Sequence, residues 1–381
     1  MRLVPMWCAL VLLAACGEMK SSDDAGNTGG GTAATGGGTA TTGGGTSGTG
    51  GGGGTAALDA GLGIGNLCSY SYSAFNASPS VNATSTVAWS CTLTARSIAA
   101  NGLPDHEVGV FPNNDCPNTI HPYLVAASVP LVPVNTGTAT SAMVVGYAYN
   151  GVKFDPGTAG SCSTSTSTTT CSLAGNTGTW NIEALGQSSF NFGVDSSNAH
   201  VQPTGEYHYH GMPEAAVTRL GRGAAMTLVG YAADGFPIYA RYGYSTPTDA
   251  RSAVKAMTGS YRLKSTPDTG RPSTTTYPMG AFRQDYEYAA GSGDLDECNG
   301  RTGVTPEFPL GTYHYYITDT YPFIQRCVKG TATGGGTMMP PGDGGMMMGQ
   351  QGCMIGQTSM CCGDGTCDGP ETHADCPADC P

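Results

Sequence analysis

Apolar residues between Leu67 and about Gly330 come in short runs of Val, Thr, Tyr and Phe, separated by Gly, Asn, Asp and Pro. Such runs, each ended by turn-forming residues, are typical of β-strands joined by turns. Helical periodicity is faint throughout, and only 213–220 and 248–257 are candidates for short helices. The pattern therefore predicts a compact, mainly β domain over 66–330 with few short helices.

Two strings each occur twice in this region, in the same order. V-G-Y-A-x-[ND]-G spans 145–151 and 229–235, and its Asn-Gly or Asp-Gly pair is a strong hairpin signal. P-x-G-x-Y-H-Y follows both times, at 203–209 and 309–315. This order predicts an internal duplication, whereas convergent turn chemistry is the alternative because such turns are common.

The duplicated halves would cover about 140–215 and 225–320. A duplicated unit usually packs face to face about a pseudo-twofold axis. Such packing would bring His314 of the second half towards His208 and His210 of the first.

Tyr and His alternate along 207–210. Successive side chains of a strand point to opposite faces, so His208 and His210 share one face and the two tyrosines share the other. Residues two apart on a strand are separated by roughly 6–7 Å. Two imidazoles at that spacing can converge on one ion.

The ends of the chain have a different composition. Residues 1–15 combine Arg2 with an apolar run at 7–13, as in a secretory signal, and Leu-Ala-Ala-Cys at 13–16 resembles the lipobox of bacterial lipoproteins. Cys16 would then be acylated, and its acyl chains would anchor the protein in membrane lipid. The alternative is an ordinary secretory signal with a chance cysteine.

Residues 16–65 are rich in Gly and Thr, and we expect a disordered tether because so few apolar side chains cannot offset the entropy cost of ordering. These features predict a lipoprotein of the bacterial cell envelope, at the outer membrane or cell surface rather than the inner membrane.

A Met- and Gly-rich linker at 331–352 leads into a cysteine-rich segment at 353–381. This segment has too little apolar residue for a core, so disulfides must stabilise it, and six cysteines allow 15 pairings. Its Asp-rich loops are candidates for calcium binding, and the alternative is that the Asp residues only favour turns. The six cysteines are Cys353, Cys361, Cys362, Cys367, Cys376 and Cys380.

The totals restrict the partners and the compartment. A net charge of −12 argues against nucleic acid or an anionic membrane surface as partner, since both require basic patches. Fifteen cysteines without zinc-type spacing indicate an oxidising compartment.

In the central domain we expect Cys162 to pair with Cys171, and Cys298 with Cys327. One cysteine remains unpaired among 68, 91 and 116, either as a metal ligand or as a buried thiol.

The run at 198–213, Asn-Ala-His-Val-Gln-Pro-Thr-Gly-Glu-Tyr-His-Tyr-His-Gly-Met-Pro, resembles the signature of bacterial YHYH-domain proteins. Further similar segments are 101–106, 230–239 and 294–300. The resemblance covers 66–330 and implies the family without a particular activity.

Histidine is scarce, with seven in the chain, and four lie in or near the repeated motifs. Imidazole suits copper and zinc, and an exported protein meets both; the Met-rich linker favours copper, unless it is only filler. The predicted ligands are His200, His208, His210 and His314, with Glu183, Asp195 and His106 as further candidates. Residues placed to orient these ligands are Tyr207, Tyr209, Tyr313, Asp296 and Glu297.

Three functions remain open. The leading prediction is metal capture or a metal-supported structural site. A metal-dependent hydrolase or oxidase would use the same histidines, although no familiar catalytic motif is present. In the third, Tyr and His pack as cross-strand pairs without an ion, and the protein is an envelope module that contacts another protein or a polysaccharide. The sequence carries no signal of the oligomeric state.

Overall fold

A computed structural model of the chain describes residues 67–142, 144–165 and 168–332. The predicted signal peptide, the lipidated Cys16, the tether, the Met-rich linker and the C-terminal cysteine-rich segment lie outside these residues. Within them, helices of the length and hydropathy needed to cross a bilayer are absent.

The described residues form a mainly β structure, as predicted. The strands, in chain order, are β1 (Ser69–Asn76), β2 (Ala83–Cys91), β3 (Ala95–Ala100), β4 (Val125–Pro130), β5 (Gly146–Ala148), β6 (Lys153–Phe154), β7 (Ser161–Thr164), β8 (Thr169–Ser172), β9 (Trp180–Asn181), β10 (Ala199–Val201), β11 (Tyr207–Tyr209), β12 (Thr227–Ala232), β13 (Pro237–Ala240), β14 (Tyr242–Tyr244), β15 (Val254–Ala256), β16 (Tyr261–Leu263), β17 (Tyr286–Tyr288), β18 (Gly300–Gly303) and β19 (Thr312–Ile317).

Helix is scarce, as the weak periodicity predicted. Helix α1 (Glu214–Leu220) begins after Pro213 and ends at Gly221, whose left-handed backbone terminates it. A 3-10 turn spans Arg283–Asp285. The second predicted helix, at 248–257, is wrong because Val254–Ala256 forms β15 and pairs with β14.

An eight-stranded sheet, ordered β10-β11-β6-β5-β12-β13-β19-β18, contains the predicted internal duplication. In the first half the β5–β6 hairpin lies parallel to β11 through β6, and β11 pairs antiparallel with β10. In the second half the β12–β13 hairpin lies parallel to β19 through β13, and β19 pairs antiparallel with β18. The two halves therefore repeat one four-stranded arrangement.

The halves join through β5 and β12, which pair antiparallel with Tyr147 opposite Tyr231. These tyrosines occupy the same place in the repeated string, so a pseudo-twofold axis passes between them. Strand approach here requires glycine: a Cβ at Gly146 would collide with the Tyr231 carbonyl oxygen, and one at Gly230 with that of Tyr147. Close packing of the two strands therefore explains why glycine occupies this position in both halves.

The tyrosine face of the large sheet lies in the main hydrophobic core, where Tyr207, Tyr209, Tyr313 and Tyr315 are buried. A second sheet, ordered β1-β2-β3-β4, packs through Trp89 and its neighbours against a second cluster that includes Tyr231. Smaller sheets are β14-β15, β16-β17 and β8-β7-β9.

Disulfides join Cys162 to Cys171 and Cys298 to Cys327, as predicted, and Cys68 to Cys91. Cys116 is therefore the unpaired member of its group. Its buried thiol donates to the Val201 carbonyl oxygen at 3.4 Å, which matches the buried-thiol alternative.

Candidate metal centre

Three histidines of the first half converge at one edge of the large sheet. His208 lies on β11, His210 directly follows it, and His200 lies on the edge strand β10 opposite His208. All three pairs of ring centroids are 4.7 Å apart. One nitrogen of each ring lies within 4.8 Å of the others, so the three together can hold a metal ion.

The turn before β10 brings His200 to this position. Asp195 Oδ1 accepts the backbone amides of Ser197 at 2.9 Å and Ala199 at 3.3 Å. Asn198 adopts a φ of 55°, a left-handed conformation that Asn tolerates well. Its carbonyl oxygen accepts the His210 amide at 2.8 Å. The turn therefore ties the edge strand to the residue that carries the third imidazole.

Hydrogen bonds to carbonyl oxygens determine which nitrogens face the cluster. His200 Nδ1 donates to the Phe192 carbonyl oxygen at 2.7 Å, and His208 Nδ1 donates to that of Glu206 at 3.2 Å. A carbonyl only accepts, so both protons are on Nδ1 and both Nε2 atoms carry lone pairs. Backbone contacts of this kind are typical of metal-binding histidines.

The Nε2 atoms of His200 and His210 are 3.1 Å apart. Two imidazoles that bind one tetrahedral ion at about 2.0–2.1 Å hold their nitrogens about 3.3 Å apart, so the spacing fits a shared ion. The Nδ1 atom of His210 is buried and has no hydrogen-bond partner among the described residues. Because His200 Nε2 accepts, His210 donates to it from Nε2, and this proton must move to the unpaired Nδ1 before His210 Nε2 can bind an ion.

Burial favours the neutral form of these imidazoles, which is the form that binds metals. The exposed fractions of His208 and His210 are 1% and 2%. Burial lowers the pKa of His200, His208 and His210, and repulsion from His200 and Lys153 adds to the effect at His208. An ion therefore need not displace protons from the three rings at neutral pH.

A polar network that the sequence analysis missed lies on the same face of the sheet. Lys153, opposite His208 on β6, donates to Glu206 Oε2 at 2.8 Å and to Gln202 Oε1 at 2.9 Å. Gln202 Nε2 donates to Asp155 Oδ2 at 3.3 Å. Burial lowers the pKa of His200, whereas the hydrogen bond to the Phe192 carbonyl oxygen and, after it, the Asp155 carboxylate raise this pKa. The network depends on the parallel pairing of β6 with β11, which no local sequence signal announces.

The three further ligand candidates are held elsewhere, contrary to the prediction. Glu183 accepts two hydrogen bonds from Arg326, at 3.1 and 2.7 Å. Asp195 supports the turn described above. His106 Nε2 accepts the Tyr209 hydroxyl at 2.6 Å, on the face of β11 opposite His208. None of the three belongs to the cluster of imidazoles.

The residues expected to orient the imidazoles also lie apart from them. Tyr207 donates to Asp195 at 2.8 Å, and Tyr313 donates to Asp296 at 2.9 Å. Tyr209 contacts His106, and Glu297 forms an ion pair with Lys329. The reason is strand alternation, which directs the tyrosine hydroxyls into the core, away from the histidine face.

His314 does not join the cluster, contrary to the prediction. Its strand β19 is separated from β11 by four strands, which is about 24 Å along the sheet at about 4.8 Å per strand. His314 Nδ1 donates to the Thr312 carbonyl oxygen at 3.0 Å, and Nε2 accepts the Tyr316 hydroxyl at 3.0 Å. The halves join side by side through their hairpins, so their Y-H-Y strands lie far apart.

Comparison with known proteins gives the family. The sequence model of a family described as YHYH protein matches residues 126–330, more than half of the 381 residues. The match begins later than the start predicted at residue 66, so β1 to β3 lie outside it. No curated protein and no solved structure matches the chain. The chain belongs to the YHYH protein family.

Proposed function

We propose that His200, His208 and His210 bind one transition metal ion, copper or zinc, for metal capture or as a structural site. The observation that carries this proposal is the convergence of three imidazoles, two buried and one half-buried, with a nitrogen of each within 4.8 Å of the others. An all-imidazole set favours copper and zinc over magnesium and calcium, which prefer oxygen ligands.

The position of the ligands supports reversible binding rather than permanent enclosure. His200 lies on the edge strand β10 and is partly exposed, whereas His208 and His210 are buried. An ion would enter from the edge of the sheet and meet His200 first. On the same face, the two carboxylates of Asp155 and Glu206 outnumber the one ammonium of Lys153 with which they pair, and Asp155 favours a cation at His200.

Metal analysis of protein purified without a histidine tag tests the proposal. We expect one equivalent of copper or zinc per chain, and at least a tenfold loss of affinity in His200→Ala and in His210→Ala. His121→Ala is the matched control, because His121 is exposed and outside the cluster, and it should retain the metal. Absence of binding in the wild-type protein would refute the proposal and favour an envelope module that contacts a protein or polysaccharide.

A second candidate function is metal-dependent hydrolysis or oxidation at the same site. Three imidazoles leave one position of a tetrahedral ion open, and catalytic sites typically keep such a position for water or substrate. Binding of azide to the copper-loaded protein, followed by its visible absorption, tests for the open position. An unchanged spectrum would exclude this candidate and leave capture or structural use.

We further propose that the protein acts in the bacterial cell envelope, held at the outer membrane or cell surface by lipid on Cys16. The Leu-Ala-Ala-Cys string and the preceding apolar run support this location. Labelled palmitate should be incorporated by the full chain and not by Cys16→Ser. Incorporation in both would show that another residue is acylated.

A further inference from the structure

The second half of the sheet repeats the framework of the candidate metal centre but not its ligands. Arg301 lies opposite His314 on β18 and β19, as His200 lies opposite His208 on β10 and β11. Tyr316 comes two residues after His314, as His210 comes two residues after His208. The residues equivalent to the three imidazoles are therefore Arg301, His314 and Tyr316.

The turn that positions the edge strand is the same in both halves. Asp296 Oδ1 accepts the amides of Cys298 at 2.9 Å and Gly300 at 3.0 Å, as Asp195 does in the first half. A tyrosine hydroxyl donates to the other oxygen of each aspartate, from Tyr313 at 2.9 Å and from Tyr207 at 2.8 Å. The backbone therefore places residue 301 beside His314 in the same way that it places residue 200 beside His208.

The backbone beside the third ligand position and the orientation of the central imidazole are also repeated. Asn299 has a φ of 58°, close to the 55° of Asn198, and its carbonyl oxygen accepts the Tyr316 amide at 2.9 Å. His314 Nδ1 donates to the carbonyl oxygen two residues earlier, as His208 Nδ1 does. His314 thus presents Nε2 to the same place in its half.

The side chain of Arg301 occupies the position in the second half that corresponds to the candidate metal position in the first. Its Nη2 donates to the Tyr316 hydroxyl at 3.2 Å, and the same hydroxyl donates to His314 Nε2 at 3.0 Å. The nitrogen that would bind an ion is therefore already paired. A guanidinium remains charged at all accessible pH values, so it also repels a cation.

The residues on the strand next to the central imidazole also differ in charge between the two halves. Since Phe154 pairs with Tyr209 and Ile238 pairs with Tyr315, Lys153 and Asp155 correspond to Pro237 and Tyr239. The carboxylate near the imidazoles of the first half is thus replaced by an aromatic ring, whose centroid lies 5.4 Å from that of His314. Pro237 also removes the positive charge of Lys153, but Arg301 supplies one beside His314 and adds to the lowering of its pKa by burial. The Glu307 carboxylate accepts the Tyr239 hydroxyl at 2.7 Å.

We propose that the second half contains a latent counterpart of the metal site, closed to ions by Arg301 and Tyr316. This inference rests on the proposed metal binding in the first half. Substituting both residues by histidine restores three imidazoles on a backbone that already has the required geometry. The protein as it stands then binds a single ion because one of two equivalent sites holds an internal cation.

Native mass spectrometry of the full chain titrated with zinc tests this inference. We expect one zinc in the wild-type protein, two in the variant Arg301→His/Tyr316→His, and one again when His314→Ala is added. The first site is an internal control for folding, because its zinc is retained only if the sheet is intact. A double variant that retains this zinc and takes no second ion would overturn the inference.

One further variant and the result for the wild-type protein keep the test decisive. If Arg301→His/Tyr316→His loses the first ion as well, the single variant Arg301→His retains Tyr316 and should bind a second zinc at least tenfold more weakly than the first. Failure of that variant to bind a second ion while retaining the first would also overturn the inference. If the wild-type protein binds neither zinc nor copper, the proposed function fails, whereas one His314-dependent zinc in the double variant would still support the latent site.

Discussion

His200 and His208 lie directly opposite each other on the antiparallel strands β10 and β11, with ring centroids 4.7 Å apart. The candidate metal centre is therefore formed within one short segment of the chain, in a single half of the duplicated sheet. Its ligands come from an edge strand and the strand next to it. An ion bound there would link these strands.

Metal removal should lower the thermal stability of the wild-type protein and leave that of His208→Ala unchanged. A ligand that binds only the folded state at 100 times its Kd stabilises the protein by about 2.7 kcal/mol. We expect a rise in Tm on adding zinc after treatment with a chelator, measured by circular dichroism. His121→Ala should keep the full rise, and an equal rise in His208→Ala would place the ion elsewhere.

The metal-free protein should lose stability as the pH falls below about 6.5. Burial lowers the pKa of His314 to about 4, so the unfolded chain binds more protons than the folded one between these values. The stabilisation is complete above the unfolded pKa and is lost as the pH falls to about 4. This single group accounts for on the order of 3 kcal/mol.

Urea denaturation between pH 4.5 and 7.5 measures this dependence in the presence of a chelator. His314→Gln cannot titrate, so its stability should depend less steeply on pH than that of the wild-type protein. The three histidines of the candidate site change stability in the same direction, since burial also lowers the pKa of each. Identical slopes for the two proteins would show that His314 is not the buried group proposed.

Tyr209→Phe should destabilise the fold without reducing metal content. The Tyr209 hydroxyl donates to His106 Nε2 at 2.6 Å and accepts from Asn150 at 3.0 Å, on the core face of β11. Its loss leaves buried groups unpaired, at a cost of about 1–3 kcal/mol. Urea denaturation and metal analysis of the same sample check both parts, with the more exposed Tyr288→Phe as control. A loss of metal at unchanged stability would contradict this assignment.

Glu183→Ala should be strongly destabilising, again with the metal retained. Glu183 is buried and paired with Arg326, whose side chain is 14% exposed, so its removal leaves a largely buried guanidinium without its carboxylate, typically at about 3–5 kcal/mol. Glu287→Ala is the matched control, because its pair with Arg262 is exposed and should contribute at most about 1 kcal/mol. Equal effects in denaturation, or loss of metal in the folded Glu183→Ala variant, would oppose this prediction.

Much of the site follows from local rules. Strand alternation alone puts His208 and His210 on one face, and the repeated strings alone indicate the duplication. The pair Cys162–Cys171 was predictable because it brackets a Ser/Thr-rich loop, and Cys298–Cys327 because it brackets the second Y-H-Y strand. These features depend on residues close together in the chain or on repeats that can be read directly.

Long-range pairing decided the rest. The sequence carries the same Y-H-Y motif in both halves, but it does not say that the hairpins join at Tyr147 and Tyr231 and so hold His314 far from His208. Nor does it say that Asp155 reaches the imidazole face through a parallel strand, or that Glu183 is held by Arg326. Side-chain periodicity is a property of a single strand, whereas the choice of neighbouring strand depends on which surfaces the whole chain can bury together. The sequence therefore determined the candidate ligands and the repeated unit, and only the tertiary structure decided which histidines share a site.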